Sequence, residues 1–288
     1  MTILIALLAL GGLTLLLALM LITANKKLYV YEDPRIDEVE GMLPHANCGA
    51  CGYPGCRPFA EGLVKGETLP GKCTVSSKEG VNAIASYLGV DAGSGEKRVA
   101  RLACAGGSNV AIVRAQYGGL ESCRAASLVS GGGKGCSWGC LGYGDCEAVC
   151  DFDAIGMNAF GLPVVDEDKC TACGDCVEVC PKDLFSLEPV SHRLWVACKS
   201  LDAGDAVLAE CAVGCTACGK CAMDAKGGFI TMKDNLPVID YSGDHQTQVP
   251  IQRCPTGAII WLDENLGPVK GAESKKIIRQ GKLKMGES

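Results

Sequence analysis

The chain has 288 residues, enough for two or three small domains, yet only 5% of it is aromatic, and the 48% counted as hydrophobic includes 20 cysteines. Cores this poor in bulky side chains need staples, either disulfide or metal. A formal net charge of -6 argues against nucleic acid and anionic lipid as partners of the soluble part.

Thr2 to Ala24 carries no charge and is rich in Leu, Ile and Ala. As a helix it reaches roughly 34 Å, against a hydrocarbon core of about 30 Å, so residues 2–24 can span a membrane. A cleavable signal would place positive charge before a shorter apolar core, whereas Met1 and Thr2 are uncharged and Lys26 and Lys27 follow the run. Cytoplasmic flanks retain Lys and Arg, so these two residues predict a single-pass anchor in the inner (cell) membrane, with the soluble part cytoplasmic, where thiols stay reduced. Gly11 and Gly12 permit close approach of another membrane helix. Tyr29 to Glu40, charged and containing Pro34, reads as a linker.

Next come Cys48, Cys51 and Cys56 in NCGACGYPGC, with Cys73 farther on and a short helix expected from Pro58 to Lys65 with Phe59, Leu63 and Val64 on one side. Four thiols with interspersed glycines suit a cubane iron–sulfur cluster, although zinc also accepts such spacing. Lys97 to Leu102 is strand-like and runs into Cys104, and a further apolar run covers Val110 to Val113. Gly131 to Gly135, reading GGGKG, invites a phosphate-loop reading, but Lys134 is followed by Gly135-Cys136 instead of Ser or Thr opening a helix.

Cys123, Cys136, Cys140 and Cys146 recur 75 residues later as Cys198, Cys211, Cys215 and Cys221, which marks a duplication. Within the first copy, Cys170 to Pro181 reads CTACGDCVEVCP, the bacterial ferredoxin signature in which the fourth thiolate ligates a neighbouring cluster. Such a tight triple run cannot easily bridge internally as disulfides, and four-coordinate zinc uses two separated pairs. The swap predicts one cluster on Cys150, Cys170, Cys173 and Cys176, and another on Cys140, Cys146 and Cys180. Tyr143 stands where a third ligand of the latter belongs, so Cys136 is expected to replace it. In the second copy Cys215, Cys218, Cys221 and Cys254 form one set, while the counterparts of Cys150, Cys170, Cys173 and Cys176 are Ala225, Asp244, Thr247 and Pro250. A whole cluster's ligands are thus absent together. Cys104, Cys123, Cys198 and Cys211 remain, either as a fifth cluster or as buried thiols, and Cys136 and Cys211 can exchange roles as equivalents in the repeat.

An apolar N-terminal helix, then LPHANCGACGYPGC with a distant Cys73, then tandem ferredoxin runs, resembles the B subunit of the Rnf complexes, membrane-bound ion-translocating ferredoxin:NAD oxidoreductases. The resemblance covers roughly residues 1 to 260. It implies a polyferredoxin that accepts electrons from soluble ferredoxin and passes them to the other membrane and NADH-side Rnf subunits, with ion pumping done elsewhere. Alternatives are a self-contained iron–sulfur redox enzyme or a zinc-binding adaptor.

The fold class expected is α+β: a transmembrane helix, a small four-cysteine iron–sulfur domain and tandem ferredoxin-like domains. The expected boundaries are an anchor over 1–27, an N-terminal [4Fe-4S] domain over 28–80 and an α/β connecting segment over 81–135. A two-cluster ferredoxin-like domain over 136–190, a second with one cluster retained over 191–262 and a basic tail over 263–288 complete the chain. Four [4Fe-4S] clusters are expected, with room for a fifth. The tail, with Lys270, Lys275, Lys276, Arg279, Lys282 and Lys284, reads either as solvated chain or as a dock for an acidic or membrane surface.

Overall fold

The computed structural model describes residues 2–28 and 32–275. The start of the expected linker, 29–31, and the tail residues Lys276, Arg279, Lys282 and Lys284 lie outside the described residues.

Helix α1 (Thr2–Leu28) carries Lys26 and Lys27 in its last turn, where positive charge complements the helix dipole. Its stretch Leu7–Leu28 has a mean hydropathy of 2.4 and is long and apolar enough to cross a membrane.

Helix α2 (Arg35–Met42) follows Pro34, so the later part of the expected linker is helical. The reason is apolar spacing: Ile36, Val39 and Leu43 form one stripe that packs with Phe59 and Leu63 of α3 (Cys56–Lys65). Arg57 ties the two helices, pairing with Glu32 at 2.6 Å, Glu40 at 2.7 Å and Asp37 at 2.9 Å. Helix α4 (Lys78–Leu88), capped by Ser77, adds Ile84 to the same core and so crosses the boundary expected at residue 80.

Chain order then runs β1 (Arg98–Leu102), α5 (Cys123–Ser127), α6 (Asp145–Ala148), β2 (Ile155–Met157), β3 (Pro163–Val165), α7 (Asp175–Val179) and β4 (Phe185–Pro189). It continues through β5 (Leu194–Val196), α8 (Gly204–Glu210), α9 (Lys220–Asp224), β6 (Ile230–Lys233), β7 (Leu236–Ile239), β8 (Ile259–Asp263) and β9 (Gly267–Val269). Strand β1 pairs antiparallel with β4 around the hairpin β2–β3, and β5 pairs antiparallel with β8 around the hairpin β6–β7. The duplication is therefore visible as one strand order used twice. Pairing also departs from the expected boundaries, because β1 joins its sheet from before residue 136 and β9 extends the second sheet past residue 262.

Each copy has its own core. Val99, Ala154, Ile155 and Phe185 pack with Cys146, Cys170 and Cys176 in the first. Leu194, Phe229, Ile230, Ile251 and Trp261 pack with Cys215, Cys221 and Cys254 in the second. Both cores are built directly against thiols, as expected of domains too poor in aromatic residues to close without a staple. The run Val110 to Val113 forms no strand. It makes single bridges, Ala111 to Cys211 between the two copies and Val113 to Lys134 within the first.

Candidate metal centres

All twenty cysteines are free thiols, and they fall into five groups of four, each lining its own cavity. The cavities have empty volumes of about 310 to 360 Å³ that open partly to solvent.

The first quartet, lining one cavity, is Cys48, Cys51, Cys56 and Cys73. Cys56 opens α3, and its N–H donates to the Asn47 side chain at 2.8 Å, which folds the loop back over the cavity. Gly49 and Gly52 take φ of 71° and 86°, backbone that favours glycine. Thr74, next to Cys73, donates its hydroxyl to the Thr171 carbonyl at 2.8 Å, so this quartet abuts the CTAC loop of the first copy.

Cys150, Cys170, Cys173 and Cys176 line a second cavity. The exchange between runs is present: Cys150 reaches this group from the first run, and Cys180 leaves the CTAC run to join Cys140 and Cys146. The fourth member of the latter group is Cys123, not Cys136. Asp145, at the start of α6 beside Cys146, explains it. Its carboxylate accepts from the Ser122 hydroxyl at 2.9 Å and from the N–H groups of Cys123 at 2.9 Å and Arg124 at 3.1 Å. Those bonds clamp the start of α5 and present Cys123, while Tyr143 turns its ring edge to Tyr117. Burial opposes ionisation of Asp145, yet the N–H and hydroxyl donors hold its carboxyl below the usual range.

Cys136 instead joins Cys104, Cys198 and Cys211. The equivalence by spacing misleads here, because the structural counterpart of Cys198 is Cys104. Each lies two residues beyond the first strand of its copy, and each sulfur accepts a corresponding N–H, from Cys140 to Cys104 at 3.4 Å and from Cys215 to Cys198 at 3.3 Å. With Cys136 and Cys211 also equivalent, this quartet takes two thiols from each copy and sits at their junction. Ala105 N–H to the Ala197 carbonyl at 3.0 Å and the Trp195 indole to the Leu102 carbonyl at 2.9 Å hold that junction together.

The fifth quartet, Cys215, Cys218, Cys221 and Cys254, lines one cavity, and Cys218 is its exposed member. Of the four residues replacing the missing cysteines, Ala225 and Pro250 are buried and Asp244 is exposed.

These donor sets fit iron–sulfur clusters. At the third position of the loops that open at Cys140, Cys170 and Cys215 the backbone is left-handed, with φ of 81° at Gly142, 59° at Ala172 and 56° at Ala217. Two of those residues are alanine, for which this conformation is strained, and the backbone N–H groups of Gly142 and Ala217 face the sulfurs of Cys140 and Cys215. Burial, reinforced by neighbouring thiols, pushes Cys140, Cys146, Cys176 and Cys215 up to about 12. The four thiols of one cavity are anions together only around a compensating cation. Four cysteine thiols to a cavity are the donor set that a [4Fe-4S] cluster takes.

A family model described as "Putative Fe-S cluster" matches residues 43–75, and one described as "4Fe-4S binding domain" matches residues 163–185. The B subunit of the Na(+)-translocating ferredoxin:NAD(+) oxidoreductase complex of Acetobacterium woodii is 42% identical over 250 residues, 87% of this chain and 75% of the relative. The B subunit of the proton-translocating ferredoxin:NAD(+) oxidoreductase complex of Clostridium ljungdahlii is 38% identical over 248 residues, 85% of this chain and 87% of the relative. The B subunit of the ion-translocating oxidoreductase complex of Methanosarcina acetivorans is 34% identical over 250 residues, 87% of this chain and 95% of the relative.

Proposed function

The chain belongs to the family of B subunits of the ion-translocating ferredoxin:NAD(+) oxidoreductase complexes, and from that premise we propose that its twenty cysteines hold five [4Fe-4S] clusters in a membrane-anchored electron relay. It is an iron–sulfur electron-transfer subunit of such a complex. The observation that carries the fivefold reading is the partition of the cysteines into five cavities with four thiols each and none left over.

When bound, each cluster supplies a one-electron redox step at a potential set by its charge, burial and hydrogen bonds to sulfur. The residues of the chain do the holding and tuning. N–H groups donate to sulfur from Ala100 to Cys170 at 3.4 Å and from Leu184 to Cys180 at 3.5 Å, besides the two at the junction quartet. Shared loops keep the groups adjacent. The order along the molecule is the Cys48 quartet, the Cys170 quartet, the Cys123 quartet, the junction quartet and the Cys215 quartet, supported by the Thr74 bond, the exchanged Cys150 and Cys180, and the two N–H to sulfur bonds.

Soluble ferredoxin is the donor on this reading, and the exposed Cys218 marks the quartet that such a partner approaches most closely. Other subunits of the complex receive the electrons. Residues 2–27 anchor the chain in the cell membrane, and Lys26 and Lys27 support a cytoplasmic position for the rest. The strand pairing supports two tandem ferredoxin-like units, residues 98–189 and 194–269, behind an N-terminal unit that includes α4.

Iron and acid-labile sulfide, counted on anaerobically purified chain, are expected at about twenty atoms each per chain. About sixteen would remove the junction quartet from the reading. Stoichiometric zinc without sulfide, or a chain that reduced ferredoxin cannot bleach, would overturn the relay.

A further inference from the structure

Lys134, from the glycine-rich stretch that fails as a phosphate loop, is left without a role in the relay. Gly131, Gly132 and Gly133 before it take φ of 67°, 72° and 78°, and a Cβ on Gly133 would lie 1.9 Å from the Ala115 carbonyl oxygen. Only glycine lets this turn press against residues 112–115, where the Arg114 N–H donates to the Gly133 carbonyl at 2.8 Å and the Gly135 N–H to the Ile112 carbonyl at 2.9 Å. The turn thereby carries the lysine side chain inward. Its Nζ donates to the Gly106 and Cys140 carbonyls, each at 2.5 Å.

Those two acceptors belong to different quartets. Gly106 lies against the junction group, since a Cβ there would sit 3.1 Å from Cys211 Sγ and 3.7 Å from Cys104 Sγ. Cys140 is a member of the Cys123 group, and its N–H bonds Cys104. The ammonium group is therefore held between two adjacent thiol quartets. Residue 209, two before Cys211 as Lys134 is two before Cys136, is alanine, and the lysine that lines the Cys215 cavity, Lys220, pairs with Glu273 at 3.6 Å instead of being held between two groups.

We propose that Lys134 is a fixed counter-charge shared by the Cys123 quartet and the junction quartet, raising the reduction potential of both relative to the centre on Cys215, Cys218, Cys221 and Cys254. This rests on the cluster reading above. A cation near a centre that gains an electron favours its reduced form, more so where partial burial limits screening. The consequence is an asymmetry that the duplicated cysteines alone would not create. Electrons are held towards the first copy.

The test is a redox titration followed by electron paramagnetic resonance on the full-length chain carrying Lys134→Gln, Lys134→Met or Lys134→Arg, with iron counted in each. In the Gln and Met variants with full iron, two centres are expected to become about tenfold harder to reduce at fixed potential, a shift of about 59 mV for one electron. The other three should stay in place, and Arg should keep most of the effect. Loss of iron in the Gln and Met variants that Arg restores would also support the proposal, because charge is what those variants lack. Full iron with unmoved potentials, an equal shift of all centres, or the same loss in the Arg variant would overturn it. A wild-type chain without iron–sulfur signals would instead sink the cluster reading itself.

Discussion

In the first copy Cys150, Cys170, Cys173 and Cys176 line a cavity whose wall includes the small residue Ala154, and α7 carries the last of the four thiols. In the second copy the same places hold Ala225, Asp244, Thr247 and Pro250, the counterpart of Ala154 is the buried Phe229, and a 3-10 turn over Val249–Ile251 stands where α7 would be. Phe229, Pro250 and Ile251 are almost fully buried, so side-chain volume fills what the other copy leaves as a thiol-lined space. One fold thus closes in two ways. Where four thiols are kept they line a space that a metal centre would staple, and where they are lost a local apolar core takes over, because a domain this small needs one or the other.

The largest effect should come from moving the plug into the wrong copy. Ala154→Phe leaves every thiol in place but fills the cavity of the Cys170 quartet, and about four iron atoms per chain should be lost while the Cys48 quartet keeps its resonance signal. Retention of all iron would mean that the two copies do not exchange volume for metal. A similar loss of about four iron atoms is expected from Cys123→Ser, the ligand that the second copy supplies from Cys218 instead. Adding Tyr143→Cys to that variant restores the shorter run and should recover the iron, an outcome impossible if Cys136 were the ligand. Phe229→Ala, the reverse of the first change, should lower stability by about 3–5 kcal/mol in thermal unfolding of the anaerobic protein, with iron in the first copy unchanged. The smallest effect belongs to the edge of the plug, where the Tyr241 hydroxyl donates to the Leu194 carbonyl at 2.8 Å and its ring stacks on His192 at 3.6 Å. Tyr241→Phe keeps the stack and loses one hydrogen bond, so a cost of about 1 kcal/mol in the same melt is expected, with no change in iron.

Much of this was legible in the residue order, and the reason is range. Ligands two or three residues apart are held together by one loop, so CTACGDCVEVCP and NCGACGYPGC announce their chemistry before any fold is known, and an uncharged run of helix length announces α1 in the same way. The duplication and the missing second site were equally readable, because equal spacing survives as a pattern. Tertiary structure alone decided the ligands that arrive from a distance. Cys123 and Cys136 stand at matching offsets from Cys198 and Cys211, yet the first copy carries an insertion between β1 and its hairpin, so offset no longer reports position. Asp145 draws Cys123 to one quartet, and the bridge between Val113 and Lys134 draws Cys136 to another. Which thiols meet is fixed by hydrogen bonds between segments far apart in the chain, and spacing carries no record of those.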